Sequence, residues 1–473
     1  MSTATPTSST SPQLARDLGV SHATAVVVGT IIGSGIFLVP SEMMQAVGSA
    51  KVVYLVWIVG GLLSFFGALT YAELGAMKPQ AGGEYVYIRD AYGPLGGFLY
   101  AWTTILISKP ASIATITTGF VRILGTFPAF AFFSNAVVPK PLHISYGQLA
   151  AIAAAAFISY LNYIGVKKAG EFQLVFTLLK IAIILGTAAV CFGYRGSGGW
   201  ANFATTFTGA KGGLAGFMTA LVAALWAYDG WNDLNQVAGE IRQPERNVPI
   251  ALIAGVAIVG ALYMLMNAAV QYVLPATMIA LSPRPAPVAV AFVAGAIGAS
   301  LVSAGMALSM LVTLNGTTMS GARVPFAAAR DGYFFPSIAR VHLGFRTPSA
   351  AIVLQFGLAA ALLLLGGSFQ QFFTLAIFAE WLFYMITAST VFVFRTREPN
   401  TPRPYRVWGY PLVPALFVLA AAFLLAYTFT ENLRRSAQGS SAVLVGMPVV
   451  LLAGVPVFYY FRRKTSAVAR GNP

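Results

Sequence analysis

Ionisable side chains lie within long apolar stretches of this sequence, where water cannot solvate their charges. They are Lys109, Lys180, Asp229 and Glu380. A charge that faces lipid in the middle of a bilayer is strongly unfavourable, so each of these residues must face a polar interior. Residues of this kind bind charged solutes, carry protons or pair with one another, and these are the chemistries that they indicate.

Glycine interrupts two of the apolar stretches. The first contains GTIIGSGIF at 29–37, and the second contains WAYDGWND at 226–233. Because a glycine lowers helix propensity by about 1 kcal/mol, both segments are predicted to break a helix. Small residues could instead allow close packing between helices. Glycine-interrupted segments at matching positions of two repeats favour broken helices and indicate a transporter site.

The two predicted breaks would expose backbone groups of opposite character. Unwound backbone cannot be satisfied by hydrocarbon, so it must line a cavity or bind a ligand. A half-helix that begins near Gly35 would direct its amide groups and positive dipole end at the break, which suits a carboxylate. A half-helix that ends near residues 226–228 would offer free carbonyl groups, which suit an ammonium group. Together these groups predict a receptor for a zwitterion.

The elements that must position these residues are transmembrane helices. The chain is 57% hydrophobic and only 9% charged, with a mean hydropathy of +0.74, whereas a soluble chain carries about 25% charged residues. A span needs about 20 mostly apolar residues. We therefore predict twelve spans, and the long run 287–321 could be one tilted helix. The spans lie near 24–40, 52–77, 94–121, 146–165, 172–193, 213–238, 248–274, 287–321, 349–366, 370–394, 411–430 and 442–461.

The net charge of +15 is unevenly distributed between the two membrane faces. With a cytoplasmic N-terminus, the basic clusters at 167–168, 323–346, 395–406 and 462–464 all fall on the cytoplasmic side, as the positive-inside rule requires. The charge therefore reflects topology and gives no support to nucleic-acid binding. We expect a multi-pass protein of the plasma membrane, in contact with membrane lipid and with both termini cytoplasmic.

Several function classes lack the residues that they need. Cys191 is the single cysteine, and His22, His143 and His342 are widely separated, so neither a disulfide framework nor a metal site is expected. We find no nucleophile–base constellation or nucleotide loop, and we predict neither an enzyme nor a cofactor. The first residues lack the pattern of a cleaved signal peptide.

Five stretches in family order make the sequence similar to a known group. It resembles the amino acid–polyamine–organocation (APC) superfamily, and more closely its L-type amino acid transporter (LAT) family. The resemblance covers nearly the whole chain. The stretches are VVGTIIGSGIF (27–37), YAELGAMKPQAGGEYVYI (71–88), ALWAYDGWNDLNQVAGEIRQPERNVPIAL (224–252), GARVPFAAARDGYFFP (321–336) and RPYRVWGYPLVP (403–414).

The resemblance implies an all-α polytopic membrane protein with the LeuT-type (APC) fold. A transport core at 21–395 would contain helices 1–10 as a 5+5 inverted repeat, with helices 1 and 6 discontinuous. Helices 11 and 12 would follow at 396–461. A polar cytoplasmic N-terminal tail would occupy 1–20, and a basic cytoplasmic C-terminal tail would occupy 462–473.

The resemblance also implies the roles of the residues around the breaks. Main-chain groups of Ile31, Ser34 and Gly35 would meet the substrate's backbone, and Trp226 would close over it as a gate. Asp229 would approach the ammonium group or a basic side chain. The predicted substrate-binding residues are Ile31, Ser34, Gly35, Trp226, Asp229 and Asn232, the last of which would connect the break to the gate.

Asp229 bears on substrate choice. Many L-type members have a small neutral residue at this position, and the YDGWN version resembles the subset that moves cationic together with neutral amino acids. An ionised carboxylate in a low-dielectric site also favours a cation. The alternative is that Asp229 only caps the inner half-helix.

The other buried ionisable residues have open roles. Lys180 could replace the cation that sodium-coupled relatives bind, or it could couple transport to protons. Lys109 could gate the substrate or form a structural pair, and Glu380 could carry a proton or pair with a lysine. Asp233 is expected to cap the inner half-helix.

Charged residues also cluster at the predicted inside ends of spans, namely Glu73, Lys78, Glu84 and Arg89, with a second group at 323–331. They could form cytoplasmic gates, but we expect them to be solvated topology anchors.

The predicted function is sodium-independent exchange of cationic and neutral L-amino acids by alternating access. A proton-coupled uptake symporter is the alternative, and a nutrient sensor with permease architecture is less favoured. Animal members pair with a glycoprotein through a cysteine in the outside loop after the third span. The corresponding loop, 125–145, has no cysteine, so we expect no disulfide-linked heavy subunit. The Ala/Gly-rich composition indicates a bacterial source, and we therefore expect the bacterial inner membrane as the location.

Overall fold

The structure is a computed structural model that describes residues 14–33, 35–138, 144–366, 369–437 and 447–469. The predicted site residue Ser34 lies outside the described residues, as do His143, most of the predicted N-terminal tail and the end of the C-terminal tail.

Helices make up nearly all of the described chain, with one short antiparallel strand pair between two of them. Their bounds, in chain order, are α1 (Val20–Ile31), α2 (Gly35–Val47), α3 (Ala50–Met77), α4 (Glu84–Tyr92), α5 (Pro94–Thr103), α6 (Lys109–Leu124), β1 (Ala136–Val138), β2 (Ile144–Ser145), α7 (Tyr146–Tyr163), α8 (Val166–Phe192), α9 (Gly213–Ala227), α10 (Asp233–Gln236), α11 (Pro244–Val273), α12 (Ala276–Leu281), α13 (Pro285–Gly321), α14 (Arg323–Arg330), α15 (Ser349–Leu365), α16 (Phe369–Arg397), α17 (Leu412–Ala437) and α18 (Met447–Ala469). A π-helical turn (Thr104–Ser108) joins α5 to α6, and 3-10 turns occupy Pro128–Ser134, Gly199–Ala204, Ala238–Glu240 and Pro336–Ala339.

These helices make the chain a multi-span membrane protein. Each of the twelve predicted spans overlaps a helix. The membrane-protein class is confirmed, while the count of twelve spans and the inverted repeat stay predictions. Within the described residues, eight segments are long and apolar enough to cross a membrane, namely Val20–Val47, Ala50–Met77, Pro94–Leu124, Val166–Phe192, Pro244–Val273, Pro285–Arg330, Leu375–Arg397 and Leu412–Arg434, and Gly213–Ala227 and Ser349–Leu365 are shorter apolar helices.

Local sequence explains where several helices begin. Proline occupies the first position of α5, α11 and α13, where its missing N–H would have no intrahelical partner anyway. A capping box starts α7. The Ser145 hydroxyl accepts from the Gln148 amide at 3.2 Å, and the Gln148 side chain accepts from the Ser145 amide at 2.8 Å.

The ambiguous run near 287–321 corresponds to α13, a 37-residue helix with an interruption. Gly295 has φ 65° and ψ −165°, which lies outside helical geometry. A left-handed φ is readily adopted by glycine and is strained for other residues. The run is therefore one long element with a local kink, not a uniformly straight helix.

The broken elements sit in the middle of the fold. In the first of them, α1 packs against α8, α11 and α13, and α2 packs against α9. The two breaks also meet directly. A Cβ added to Gly35 would lie 2.6 Å from the Cα atom of Ala227, so only glycine allows these backbones to approach so closely.

Candidate functional site

The first helix break leaves carbonyl groups at the end of α1 without partners in their own helix. The helix ends at Ile31 and the next helix begins at Gly35, which agrees with the predicted position. The ammonium group of Lys180 fills this gap. Its Nζ donates to the carbonyl oxygens of Gly29 at 2.8 Å and Ile32 at 2.6 Å. A cation at a helix C-terminus also interacts favourably with the helix dipole.

Hydroxyl groups from α13 complete this arrangement. Ser309 Oγ donates to the Ile32 carbonyl at 2.8 Å, and Thr313 Oγ1 lies 3.1 Å from the same oxygen. The Ser309 carbonyl in turn accepts from Lys180 Nζ at 3.2 Å. Lys180 is 1% exposed, and its ammonium group is held by backbone oxygens, without a carboxylate partner among the described residues.

The second helix break lies against the first. The helix α9 ends at Ala227 and α10 begins at Asp233, so the intervening residues are not helical. Gly230 has φ 106°, and a Cβ there would lie 2.7 Å from Thr30 Cγ2. The segment predicted as one span at 213–238 is therefore helical only at its two ends.

One tyrosine from α11 contacts both breaks. The hydroxyl of Tyr263 is 3.0 Å from the carbonyl oxygen of Ile31 and 2.7 Å from that of Ala227. The ring is fully buried. Tyr263 therefore holds the carbonyl ends of α1 and α9 at a common point.

A small cavity of about 40 Å³ lies between the two breaks. Its volume is of the order needed for one or a few water molecules, so the two breaks leave very little free space between them. The predicted residues that line it are Ile31, Gly35, Lys109, Trp226, Asp229 and Glu380, and the other lining residues are Thr30, Gly33, Ser112, Ile116, Gly230, Asp233, Thr313 and Thr317. Lys180 does not line this cavity; its ammonium group contacts the carbonyl oxygens of the first break.

Asp229 contacts a tyrosine of α16. The Tyr384 hydroxyl is 2.8 Å from Asp229 Oδ1 and 2.7 Å from Asn232 Oδ1. Asn232 precedes α10 and makes no side-chain cap. Within the described residues, the Asp229 carboxylate accepts from Tyr384 and from none of the α10 amide groups, so the capping alternative for Asp229 is wrong.

Lys109 forms a buried ion pair with Asp233, and each residue is at most 5% exposed. Structural pairing, one of the two alternatives for Lys109, is therefore found, although the lysine also lines the cavity. The predicted capping role of Asp233 is wrong because its carboxylate is directed at the ammonium group of Lys109. A buried carboxylate is stabilised far more by a partner cation than by a dipole end alone.

Glu380 has an incomplete set of hydrogen bonds. Its Oε1 accepts from Ser112 Oγ at 3.3 Å, whereas its Oε2 is buried and has no donor among the described residues. Pairing with a lysine, one of the two alternatives, is not observed in the described part of the chain because Lys109 goes to Asp233.

A second, smaller cavity adjoins the first and shares Lys109 and Glu380 with it. Asn232 lies here and donates to Glu84 Oε1 at 2.6 Å. The other carboxylate oxygen of Glu84 accepts from Tyr100 at 3.0 Å and from Gln236 at 3.2 Å. Asn232 thus connects the second break to α4, and Glu84 is held entirely by neutral donors.

Several charged residues that we expected to be solvated anchors are buried, and that expectation is wrong for them. Glu73 is 1% exposed, and Glu84 and Arg323 are 0% exposed. Arg323 forms a two-point pair with Glu240, with contacts of 2.6 and 3.0 Å. The folded ends of the spans cover these groups, and buried charges persist only where they are paired or hydrogen-bonded.

Other ion pairs at the same end are partly exposed. Lys78 contacts Asp90 at 3.1 Å, and Arg89 pairs with Asp331. Burial lowers the pKa of the Arg89 guanidinium, but hydrogen bonds and charge attraction from Asp331 and Asp90 more than offset it. The pKa of Arg89 therefore lies above its ordinary value, and this group keeps its charge at any physiological pH.

Sequence reasoning missed four residues that shape the site: Tyr263, Ser309, Thr313 and Tyr384. Ser309 and Thr313 are four residues apart in an otherwise apolar run, which places them on one helix face. Tyr384 has the same spacing from Glu380. That spacing was the available signal for these three, whereas Tyr263 gives none. Within the described residues, no group of three His, Cys, Asp or Glu side chains could hold a metal ion.

Comparisons with known proteins agree with this architecture. The sequence model of the family described as amino acid permease matches residues 18–454. The serine/threonine exchanger SteT of Bacillus subtilis is 32% identical over 459 residues, covering 96% of this chain and 98% of that protein. The human b(0,+)-type amino acid transporter 1 is 33% identical, covering 87% and 82%. The human cystine/glutamate transporter is 30% identical, covering 95% and 86%. The chain therefore belongs to the amino acid permease family.

Proposed function

We propose that this permease exchanges cationic and neutral L-amino acids across the membrane, without sodium and by alternating access. The observation that carries the proposal is the small polar cavity between the two helix breaks, which both Asp229 and Glu380 line. The names of two relatives, a serine/threonine exchanger and a b(0,+)-type amino acid transporter, support amino acids as the substrate class.

The breaks would recognise the part of the substrate that all amino acids share. The first amide groups of α2, beginning at Gly35, suit the substrate carboxylate because of the positive dipole end of that helix. The carbonyl end of α9 at Ala227 suits the ammonium group. Both positions line or adjoin the cavity, and they carry no charged side chain that would select among substrates.

Trp226 would act as the gate of this site. Its ring lines the cavity and lies 5.5 Å from the ring of Phe373 on α16. An aromatic pair of this kind excludes water well and can separate by rotation of one side chain. Widening of the cavity for an amino acid requires this pair, or the helices that hold it, to move.

Sodium independence is supported by Lys180. Its ammonium group already occupies the carbonyl oxygens of Gly29 and Ile32. Carbonyl oxygens at an unwound helix end are the groups that coordinate sodium in sodium-coupled transporters. A fixed cation at this position would remove both the need and the room for a sodium ion.

Asp229 would give preference for a cation at the substrate side chain. The test is uptake of labelled arginine and alanine into liposomes that contain purified protein and are loaded with either amino acid. We expect Asp229→Asn to weaken apparent arginine affinity about tenfold more than alanine affinity, equivalent to about 1.4 kcal/mol.

Asp17→Asn serves as the matched control. Asp17 lies near the N-terminal end of the described residues, is partly exposed, and has a weak ion pair with Arg242 at 3.9 Å. This variant should leave both affinities unchanged. Equal loss of arginine and alanine transport in Asp229→Asn would contradict the selectivity role, and absence of exchange in the unaltered protein would contradict the proposed function.

Proton-coupled uptake is a second candidate, favoured by the buried Glu380 oxygen that lacks a donor. The two candidates differ in empty liposomes. Uptake driven by an inward proton gradient, with no amino acid inside, would establish symport and overturn exchange. Uptake that requires internal amino acid would overturn symport.

A further inference from the structure

The two adjoining cavities contain more buried acids than bases. Around them lie Glu84, Asp229, Asp233 and Glu380, and the only base among the described lining residues is Lys109. Glu84, Asp233 and Glu380 are more than nine-tenths buried. Asp229 lines the first cavity. Several uncompensated negative charges in such a site would be strongly unfavourable.

Two of the four acids have their own partners. Asp233 is neutralised by the ammonium group of Lys109. Glu84 accepts hydrogen bonds from Asn232, Tyr100 and Gln236, which use its lone pairs without adding a proton. Among the described residues, Asp229 and Glu380 are the acids that have neither a cation nor more than one side-chain donor each.

Asp229 and Glu380 also line the same cavity of about 40 Å³, and Asp229 is bonded to Tyr384, which lies one turn from Glu380 on α16. An ionised carboxylate only accepts hydrogen bonds, so two ionised carboxylates cannot form a hydrogen bond with each other. In the described part of the chain, no donor reaches Glu380 Oε2. A proton held between the two groups would satisfy this oxygen and remove one of two adjacent like charges, because carboxylates that share a site do not both ionise readily.

We propose that Asp229 and Glu380 share one proton while a neutral amino acid is bound, and that the side-chain cation of a basic amino acid displaces this proton. The inference rests on the proposed function and deepens it. In each cycle that moves a cationic amino acid inward and a neutral one outward, a proton moves outward with the neutral one. The exchange is therefore electroneutral.

The charge balance follows from the bond changes. When arginine binds, the O–H bond between the two acids breaks, the proton leaves to water, and the guanidinium takes its place beside two carboxylates. When arginine leaves, the pair regains a proton from water, and alanine binds to the protonated pair. The loaded site therefore has the same net charge with either substrate, so the membrane potential does no work on the exchange.

The groups that face the pair from each neighbouring element fit this role. Lys109 on α6 and Asp233 on α10 form a neutral pair, and Tyr384 on α16 donates to Asp229. Glu84 on α4 is separated from the pair by Asn232 and Tyr384. Lys109, the only base among the described lining residues, is thus already paired with Asp233. The compensating cation for Asp229 and Glu380 must therefore come from the substrate.

The experiment uses the full chain in liposomes with internal alanine, an internal pH-sensitive dye and a potassium gradient clamped by valinomycin. Arginine added outside should enter at a rate independent of membrane potential, and the interior should become alkaline as a proton leaves with each alanine. Alanine exchanged for alanine should produce no pH change. Arginine entry that is accelerated by an inside-negative potential, without a pH change, would overturn the proposal while leaving the exchange function intact.

Glu380→Gln isolates the proton carrier, and Glu171→Gln, an exposed acid on α8, is its matched control. The control should behave like the unaltered protein. In Glu380→Gln, any remaining arginine entry should show no proton movement, and a proton that still leaves with each alanine would overturn the role of Glu380.

A second measurement tests the proposal even if the Glu380→Gln variant does not transport. Calorimetric binding of arginine to the unaltered protein in detergent, in buffers of different ionisation enthalpy, should show proton release, whereas alanine binding should show none. Equal proton release with arginine and alanine, or none with either, would contradict the shared proton.

Discussion

The ammonium group of Lys180 takes the place of backbone hydrogen bonds that the first break removes. It donates to the carbonyl oxygens of Gly29, Ile32 and Ser309, and thereby joins α8 to both α1 and α13. A buried carbonyl left without a donor is unfavourable. The lysine is therefore part of the structure of the break as well as a charge inside the membrane.

Lys180→Met should abolish transport and lower the free energy of unfolding by about 1–3 kcal/mol, because methionine fills the space but cannot donate to the carbonyl oxygens. Thermal unfolding of the purified protein in detergent and arginine uptake measure the two effects. Lys168→Met, on the exposed surface of the same helix, is the control. Equal melting temperatures and equal transport in the two variants would contradict this role for Lys180.

The residue types predicted which side chains lie in the site, but not which side chains pair with one another. Lys109, Asp229 and Glu380 could be placed in one polar interior because a charge inside an apolar span has nowhere else to face. Their pairings could not be predicted. Lys109 and Asp233 are 124 residues apart, and which acid a buried lysine reaches depends on how α6 and α10 pack.

At the scale of elements, the two broken helices work as one unit. They touch where Gly35 faces Ala227 and where Gly230 faces Thr30. Close approach of this kind transmits displacement, since packed atoms leave no free space to absorb it. Neither break can therefore move toward the other without displacing it.

Gly35→Ala tests this contact. The added methyl would lie 2.6 Å from the Ala227 Cα atom, and we expect transport to fall about tenfold or more because overpacking costs about 1–3 kcal/mol. Uptake of labelled alanine into liposomes measures the effect. Gly357→Ala, in α15 where an added Cβ meets nothing within 4 Å, should transport normally, and equal uptake by both variants would show that the contact is unimportant.

Helix positions were predictable because an apolar run of about 20 residues is a local property of the sequence. The short helices α4 and α14 and the buried ion pair of Arg323 with Glu240 were not. Their charged residues look like solvated ends in the sequence. Only tertiary contacts between distant segments show that they are covered.

The cavity at the centre of the molecule is narrow. Its volume of about 40 Å³ is well below the space that an amino acid occupies in a binding pocket, since ligand pockets measure about 300–1,000 Å³. A transport cycle must therefore include states in which the cavity is wider, and in the narrow state bulky reagents should reach the buried lining residues only slowly.

Cysteine labelling measures this closure, because Cys191 is the single cysteine and is fully buried. In purified protein, Ile116→Cys on the cavity wall should react with a maleimide about tenfold or more slowly than Leu343→Cys, because a buried thiol reacts only after local opening. Leu343 is 84% exposed. Arginine should change the rate at position 116 only, and equal rates without substrate would mean that the cavity is open.

The position of Tyr263 between the breaks has a consequence for the order of movements. Its hydroxyl reaches the carbonyl oxygens of both Ile31 and Ala227, yet a phenol has a single hydrogen and donates to one acceptor at a time. The two breaks therefore compete for one hydrogen-bond donor on α11. When either half-helix swings away, the hydrogen passes to the other, so one of them stays fastened while its neighbour is released.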